Sequence, residues 1–266
     1  MKTNRRTFIK QASLLSAAPF ILPSKVWGAE VNPSDKIVMG FIGTGKQARG
    51  LLNNFIHHQN VQIVAVCDVD TTRRKAAQAK VNQHYTENPE KGSPDCKDYA
   101  DFREVIARTD IDAVCIATPD HWHAIPTIAA LKSGKDVYCE KPLTHNIHES
   151  IAVIDAVKKY DGILQTGSMQ RSSREFRVAC ELVRNGVIGD IYRVDCSFGT
   201  AGVPCDLPEE TMEPGLDWDR WCGSGPIRPY NSILSPRGDH DHFPMWRLYK
   251  EYGGGMVCDW GAHHLD

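Results

Sequence analysis

Short apolar runs alternate with segments of helical pattern between Lys36 and about Gln165, and this alternation constrains the fold more than any other feature. Runs such as KIVMGFI, VQIVAVCD and DAVCIAT are apolar at consecutive positions, which is typical of strands buried on both faces. Strands of this kind, separated by helices, indicate a parallel sheet covered on both sides. The sequence therefore predicts a doubly wound α/β domain over residues 34–165. Further strands are expected in KDVYCE and GILQTG, helices over 46–58, 71–85 (opened by a threonine cap), 99–108, 121–134 and 147–160, and a surface loop over 86–98.

A glycine-rich turn follows the first predicted strand and opens the first helix, with the sequence Gly43-Thr44-Gly45-Lys46-Gln47-Ala48. It fits the pattern G-x-G-x-x-G/A, in which glycines permit a tight turn and let the backbone approach a pyrophosphate at the helix N-terminus. Asp68 ends the second predicted strand, where a carboxylate accepts hydrogen bonds from ribose hydroxyls and repels a 2′-phosphate. These residues predict a Rossmann domain that binds NAD in preference to NADP; a purely structural strand–helix turn is the alternative. Arg73 and Arg74 could weaken the preference for NAD, but an exposed helix face is the simpler expectation for both.

The stretch CIATPDHWHAIPTIAALKSGKDVYCEKPLTHN covers residues 115–146. Its T-P-x-x-x-H and E-K-P motifs resemble, in order and spacing, those of the glucose–fructose oxidoreductase/inositol dehydrogenase (Gfo/Idh/MocA) family, and the resemblance extends from about residue 36 to residue 266. It implies that the cofactor is flanked by Thr118, Pro119, His123, Glu140 and Lys141, and that a cis peptide bond precedes Pro142. It also implies that Lys141 reaches the substrate hydroxyl. Independently, Lys141 follows the carboxyl end of a predicted parallel strand, where open α/β sheets bind ligands; a solvated lysine is the alternative.

The segment GGGMVCDWGAHHLD, residues 253–266, contains two acids and two adjacent histidines. Members of the family carry D-x-x-x-H, or Tyr in place of His, after a glycine-rich run, and Asp259 and His263 match that pattern. Because residues four apart share a helix face, we expect Asp259 to hold the imidazole of His263 and to favour its charged form. With a pKa of about 6.5, His263 is suited to accept a hydroxyl proton, whereas His264 is expected to pack elsewhere. A metal site formed with the DHDH of residues 239–242 is the alternative, but the chemistry requires no metal and none is predicted.

The pattern changes after residue 165. SSREFRVACELVRNGVIG predicts one amphipathic helix ending at Gly186, DIYRVDCSFGT alternates like a strand, and residues 200–250 are irregular. We expect an α+β domain with a mainly antiparallel sheet over residues 166–266. Because one strand cannot make a sheet, this domain is expected to be incomplete and the chain shorter than its natural length. The sheet of the second domain is the expected surface for homo-oligomer formation.

The candidate substrate residues combine aromatic and polar side chains, which suit a sugar ring. They are Gln170, Arg171, His242, Trp246 and Arg247. Trp246 has core packing as an equal alternative, and Trp218 and Trp221 are expected to be structural.

Residues 1–29 carry five Lys and Arg residues and no acid. Arg5 and Arg6 precede Phe8 and an apolar run from Ala12 to Leu22, which is too short to span a bilayer, so no stable membrane anchor is predicted. The arginine pair resembles a twin-arginine (Tat) signal and implies export to the periplasm, with a basic, frayed N-terminus as the alternative. A net charge of −2 gives no general attraction to nucleic acid. The nine cysteines include no C-x-x-C and are odd in number, so no disulfide framework is expected.

These features together predict an exported NAD-dependent oxidoreductase that acts on a secondary hydroxyl of a small-molecule carbohydrate or polyol. His263 would accept the hydroxyl proton, and Lys141 would stabilise the developing alkoxide. Two alternatives stay open. Since the periplasm has no obvious supply of free NAD, the enzyme could retain its NAD through a redox cycle, as some relatives do in glycoside cleavage or sugar–sugar redox. A non-catalytic sugar-sensing protein is the other alternative, although the presence of Lys141, Asp259 and His263 together argues against it.

Overall fold

The computed structural model describes residues 35–266, and its first domain is built on a parallel sheet of six strands. The strands lie in the order β3-β2-β1-β4-β5-β6, and each hydrogen-bonded pair is parallel. Their bounds are Ile37–Ile42 (β1), Val61–Cys67 (β2), Lys97–Tyr99 (β3), Ala113–Ile116 (β4), Asp136–Cys139 (β5) and Leu164–Thr166 (β6). The predicted doubly wound α/β domain is confirmed.

Five α-helices connect these strands: Lys46–Ile56 (α1), Thr71–Glu87 (α2), Phe102–Ala107 (α3), Ala124–Lys132 (α4) and Ile147–Tyr160 (α5). Alternate residues of β1 pack into two separate cores, because successive side chains of a strand point to opposite faces of the sheet. Phe41 packs with Leu52 and Val81 in one core. Ile42 packs with Leu131 in the other core, so both faces of the sheet are buried, as the continuous apolar runs indicate.

The strand order places a topological switch point at β1, which pairs with β2 on one side and with β4 on the other. Connections from these strands leave in opposite directions across the sheet, and a crevice opens at their carboxyl ends. This is where open α/β sheets bind ligands. The glycine turn after β1, Asp68 after β2 and the T-P motif after β4 all lie at this edge.

The structure corrects several details of the first domain. The short strand β3 lies within and just beyond the predicted loop, and it pairs with β2; with only three residues it gives little periodic signal. The N-cap of α2 is Asp70, whose carboxylate accepts hydrogen bonds from the backbone N–H groups of Thr72 and Arg73, and not a threonine. The predicted helix over 121–134 begins as a 3₁₀ turn, Asp120–Trp122, before α4.

The second part of the chain, residues 166–266, contains three α-helices, Arg174–Arg184 (α6), Trp218–Cys222 (α7) and Gly255–His264 (α8), and two 3₁₀ turns, Met169–Ser172 and Met245–Leu248. A third core joins Trp218, Trp221 and Trp246 with aliphatic and aromatic neighbours, so the structural role expected of the first two is confirmed. All nine cysteines are free, as expected from their number and spacing.

The strand predicted in DIYRVDCSFGT is wrong in this structure. Residues 190–200 form no strand, and the side chain of Tyr192 is 98% exposed. A strand needs a neighbour to satisfy its backbone hydrogen bonds, and nothing in residues 35–266 lies alongside this segment in a sheet. No helix of the described part is long and apolar enough to cross a membrane. The predicted export signal lies outside the described residues.

Candidate active site

A cavity of about 150 Å³ opens at the carboxyl edge of the sheet, against the glycine turn. Gly43 has a φ of +87°, and a Cβ atom there would lie 2.8 Å from the backbone of Ala117 and Thr118, so the turn requires glycine. At Gly45 the opposite holds, because a Cβ atom would meet nothing within 4 Å and would project into open space. The backbone of Gly45 is therefore open to a ligand.

The N-terminus of α1 faces this cavity, which Lys46 and Gln47 help to line. No side chain caps this terminus, so its first N–H groups and the positive end of the helix dipole are available to an anion. Thr118 also lines the cavity, and its hydroxyl oxygen is buried without a hydrogen-bond partner. An open glycine backbone, an uncapped helix and an unpartnered hydroxyl fit the pyrophosphate and ribose groups of a dinucleotide.

Asp68 lines the cavity at the end of β2. Its Oδ2 atom accepts hydrogen bonds from the backbone N–H (2.7 Å) and the hydroxyl (3.0 Å) of Thr44, and its Oδ1 atom accepts one from the Asp70 N–H (2.9 Å). These bonds fix the orientation of the carboxylate and still leave acceptor capacity on Oδ1 for a ribose hydroxyl.

Arg73 and Arg74, which follow Asp68, are bound to other groups. The guanidinium of Arg74 contacts the Asp98 carboxylate at 3.0 Å. Arg73 is buried and donates to the hydroxyl of Ser235 and to the carbonyl of Pro236. Neither arginine is the exposed helix residue expected from the sequence.

The E-K-P motif and the D-x-x-x-H helix meet in a largely buried ion-pair network. The Nζ atom of Lys141 lies 2.5 Å from Oδ1 of Asp259 and 3.1 Å from its backbone oxygen. Arg247 contacts the other carboxylate oxygen of Asp259 at 3.2 Å. The guanidinium of Arg247 also packs over the rings of Phe243 and Trp246, at 4.9 and 5.2 Å from their centroids. Because Arg247 and Trp246 line the cavity, they connect it to the network.

His263 lies on the same helix as Asp259, but the arrangement differs from the expected relay. The carboxylate of Asp259 contacts Lys141 and Arg247, and no hydrogen bond joins it to His263 in the part of the chain that the structure describes. The Nδ1 atom of His263 is buried without a partner. Burial, and then the charge of Lys141, lower the pKa of His263 below its ordinary value, and the opposing effect of Asp259 is smaller. The charge of Asp259 favours the charged imidazole, as expected, but burial and Lys141 outweigh it, so the pKa of His263 is lowered overall.

Asp120 is a member of this cluster that the sequence did not single out. It is almost completely buried, and burial raises the pKa of its carboxyl well above its ordinary value. The charge of Asp259 acts in the same direction, whereas Lys141 and Arg247 oppose it. The signal that could have identified Asp120 is its position in the T-P-x-x-x-H motif, directly after Pro119 at the carboxyl end of β4.

Glu140 links the glycine turn to the E-K-P motif. Its Oε1 atom accepts a hydrogen bond from the side-chain amide of Gln47 at 3.0 Å, and its Oε2 atom accepts one from the backbone N–H of Lys141 at 3.2 Å. Burial raises the pKa of Glu140, and these hydrogen bonds oppose the increase. The peptide bond between Lys141 and Pro142 is cis, as the resemblance implies.

Other predicted site residues lie away from the cavity. His123 is fully buried and its ring nitrogens contact the carbonyl oxygens of Pro142 (2.7 Å) and Thr118 (2.9 Å), so it fixes the two motifs relative to each other. Ala48 is buried beneath the turn. Arg171 is paired with Asp266 at the surface.

Gln170 and His242 do not line the cavity either. Of the candidate substrate residues, the structure brings Trp246 and Arg247 to the cavity, whereas Thr118 and Pro119 line it as expected of cofactor neighbours. Within residues 35–266, no three His, Cys, Asp or Glu side chains are grouped so as to hold a metal ion. The alternative that joined residues 239–242 with His263 and His264 has no support in this geometry.

Fold and site together define a dinucleotide-binding α/β domain. Residues 37–168 match the model of the Gfo/Idh/MocA oxidoreductase family, described by its NAD-binding Rossmann fold. This part of the chain is therefore an NAD-binding Rossmann domain of that family.

Curated relatives include a glycosyl hydrolase family 109 protein of Shewanella pealeana, 27% identical over 215 residues that cover 74% of this chain and 46% of the relative. A second protein of that description, from another Shewanella species, is 26% identical and is covered to the same extent, 46%. The chain thus spans about half the length of the curated relatives it matches.

Among solved structures, an NAD-binding protein from Listeria innocua superposes with a TM-score of 0.58 and 25% identity, covering 87% of this chain and 51% of that one. The myo-inositol 2-dehydrogenase of Lactobacillus plantarum gives a TM-score of 0.50 and 28% identity, covering 59% of this chain and 43% of that one.

Proposed function

We propose that the protein is an NAD-dependent oxidoreductase that acts on a secondary hydroxyl of a sugar, glycoside or polyol. The observation that carries the proposal is the contact between Lys141 and Asp259, which brings the E-K-P motif and the D-x-x-x-H helix together. Neither residue lines the cavity, but Arg247, which contacts Asp259, does. The likeness to a myo-inositol 2-dehydrogenase supports the substrate class, since that protein acts on a polyol. Trp246 and Arg247 in the cavity wall supply the aromatic face and the hydrogen-bond donors that a sugar ring requires.

In this proposal, His263 accepts the proton and Lys141 and Asp259 act through their charges. His263 is half-buried and its pKa is lowered below the ordinary value, so it is neutral at pH 7 and able to accept the hydroxyl proton. Lys141 supplies a positive charge that stabilises the alkoxide as it develops. Asp259 holds the Lys141 ammonium and Arg247 in place, and does not orient His263 directly. NAD, when bound, would supply the hydride chemistry, and the protein would supply position and electrostatics.

We further propose that the cofactor is NAD and not NADP. The carboxylate of Asp68 faces the cavity where the adenosine ribose would lie, and it would repel a 2′-phosphate. Arg73 and Arg74, the nearest candidates to bind such a phosphate, already bind Ser235, Pro236 and Asp98.

A second candidate is a redox cycle with retained NAD, which leads to glycoside cleavage or sugar–sugar redox. The names of the glycosyl hydrolase family 109 relatives favour it. Stoichiometry separates the two: turnover without added cofactor supports the cycle, and one NADH formed per product supports a dehydrogenase. A non-catalytic sugar sensor is the third candidate, and the buried Lys141–Asp259 pair argues against it, since a mere sensor does not need it.

Two measurements test the proposal on the full-length protein. Mass spectrometry of nucleotide released from freshly purified, denatured protein identifies the cofactor and shows whether it is retained. Absorbance at the nicotinamide band is then followed with a broad panel of sugars, glycosides and polyols. No change in nicotinamide absorbance with this panel, together with no turnover in the assay without added cofactor, would reject the proposal that the protein is an enzyme of this kind.

Export by the twin-arginine route and assembly into a homo-oligomer are also proposals. Replacement of Arg5 and Arg6 by Lys should leave the protein in the cytoplasm, and cell fractionation measures it. Unchanged export would reject the twin-arginine route. Sedimentation of the full-length protein measures the oligomeric state.

A further inference from the structure

A segment of the second part, residues 235–243, runs against the dinucleotide cavity and contacts both helices that flank it. We call this segment the strap. Ser235, His240 and Phe243 of the strap line the cavity together with the glycine turn and Asp68. The strap is therefore part of the cavity wall, although it is more than 160 positions distant from Asp68 in sequence.

On the α1 side, the strap is held by charged contacts. The guanidinium of Arg49 pairs with the carboxylate of Asp239, contacts Asp241 at 3.2 Å and donates to the carbonyl oxygen of His240. Lys46, in the first turn of α1, also lies 3.2 Å from Asp241. These carboxylates are exposed, with 45% of the Asp239 side chain and 95% of the Asp241 side chain accessible to solvent.

On the α2 side, the contacts are buried. Arg73 donates to the carbonyl oxygens of Gly238 and Pro236 and to the hydroxyl of Ser235. The N–H of Gly238, a residue with a φ of +62°, donates to the Glu213 carboxylate at 2.5 Å. This end of the strap is fixed by buried hydrogen bonds, so the α1 end is the one that can detach at lower cost.

We propose that the strap is a latch on the dinucleotide site, and that the ion pair between Arg49 and Asp239 must open before the cofactor enters or leaves. The inference rests on the proposed binding of NAD. A latched strap closes the cavity over the helix terminus where the pyrophosphate would lie, so it sets the rate of cofactor exchange rather than the chemistry. Because the latch consists of partly exposed charges, salt should accelerate release of the cofactor.

The Asp239→Asn variant tests the latch, because it removes the ion pair and preserves the shape of the side chain. If the latch opens, NADH release should be about three- to tenfold faster, the range expected for a partly exposed ion pair with its hydrogen bonds. A purely electrostatic effect predicts the opposite, because removing a negative charge near the pyrophosphate would slow NADH release. Stopped-flow fluorescence of NADH displaced by excess NAD measures the rate. Asp195→Asn, which breaks the exposed Arg193–Asp195 pair, is the control and should leave the rate unchanged.

A second readout does not require the cofactor. Backbone hydrogen exchange of residues 239–243, followed by mass spectrometry, reports on detachment of the α1 end. Exchange should be faster in Asp239→Asn than in the unmutated protein, and NAD should slow it in both. The proposal stands only if release and exchange both accelerate; unchanged or slower release, or unchanged exchange, overturns it. Failure of the unmutated protein to bind NADH at all would instead reject the proposed function, while exchange of the cofactor-free protein still tests the latch.

Discussion

The Nζ atom of Lys141 and the Oδ1 atom of Asp259 lie 2.5 Å apart, although 118 positions separate the two residues. Lys141 is fixed at the carboxyl end of β5, and Asp259 is fixed in the second turn of α8. The carboxylate of Asp259 contacts the Lys141 ammonium and the Arg247 guanidinium, and within residues 35–266 no hydrogen bond joins it to His263. The proposed catalytic unit is therefore a charged network, with His263 outside it, and not a linear Asp259–His263 relay.

The role of His263 as a base predicts that His263→Ala lowers turnover by roughly 10²–10⁴, the usual contribution of general acid–base catalysis. Substrate binding should change much less, since the proton is transferred only on the way to the product. His264→Ala is the matched control, because His264 lies on the same helix as His263 and its ring stacks on the rings of Trp260 and Phe198. Steady-state kinetics of both variants measures the effect on turnover. Equal losses of turnover in the two variants, with the fold intact by circular dichroism, would contradict the assignment of His263 as the base.

The charges around His263 predict opposite shifts of its pKa in two variants. Lys141→Met removes the cation that lowers the pKa of His263, so the pKa should rise toward its ordinary value. Asp259→Asn removes the charge that raises the pKa, so it should fall further. NMR titration of the imidazole ring, assigned by its loss in His263→Gln, measures both. Shifts in the same direction would show that the variants act through a structural change and not through charge.

The sequence allowed most of the first domain to be predicted because the predicted strands lie in short apolar runs and helical segments separate them. Helix α5 was placed with the bounds that the structure gives, Ile147–Tyr160. The strand β3 was missed because three residues at a sheet edge carry no period, and its pairing with β2 is a tertiary property. The strand expected after residue 190 was predicted but does not form. An alternating pattern forms a strand only where a neighbouring strand supplies hydrogen bonds.

The candidate site could be predicted only as far as its motifs are local. Lys141, Asp259 and the glycine turn were found from short patterns, but a pattern does not say which charge Asp259 meets. The choice of Lys141 and Arg247 over His263 is a matter of packing between elements. Asp120 was missed for a similar reason, because its burial and its charged neighbours come from other segments of the chain.

The carboxylate of Asp68 predicts a preference for NAD. In Asp68→Asn, affinity for NAD should fall by about 10- to 100-fold, because a neutral amide replaces a charged acceptor, and discrimination against NADP should relax. Asp98→Asn is the informative partner variant. It frees Arg74 from its ion pair, so binding of NADP should improve while binding of NAD changes little. Calorimetric titration with both nucleotides measures these changes, and equal NAD and NADP affinity in the unmutated protein would contradict the role of Asp68.

His121 predicts that the fold loses stability in mild acid. Burial lowers the pKa of His121 to about 4, whereas the unfolded chain takes up the proton near the ordinary value of about 6.5. Between these values the unfolded state binds more protons than the folded state, so lowering the pH favours unfolding. From this group alone, the free energy of unfolding should fall by up to roughly 3 kcal/mol as the pH goes from about 6.5 to about 4.

The His121→Phe variant isolates this contribution. Phenylalanine keeps an aromatic ring beside Trp221 and Tyr252, and the carbonyl oxygen of Trp221 still accepts a hydrogen bond from Trp122 at 3.0 Å. Urea unfolding should therefore give similar stability to the unmutated protein at pH 7.5, but a smaller loss at pH 4.5. The pKa values of Asp120 and Glu140 are raised, so these carboxyls make the folded state more stable as the pH falls, opposite to His121. Both proteins contain them, so the difference between the two stability curves reports on His121 alone. His148→Phe, at an exposed position of α5, is the control and should reproduce the pH dependence of the unmutated protein. Parallel stability curves for His121→Phe and the unmutated protein would mean that His121 is already charged in the fold.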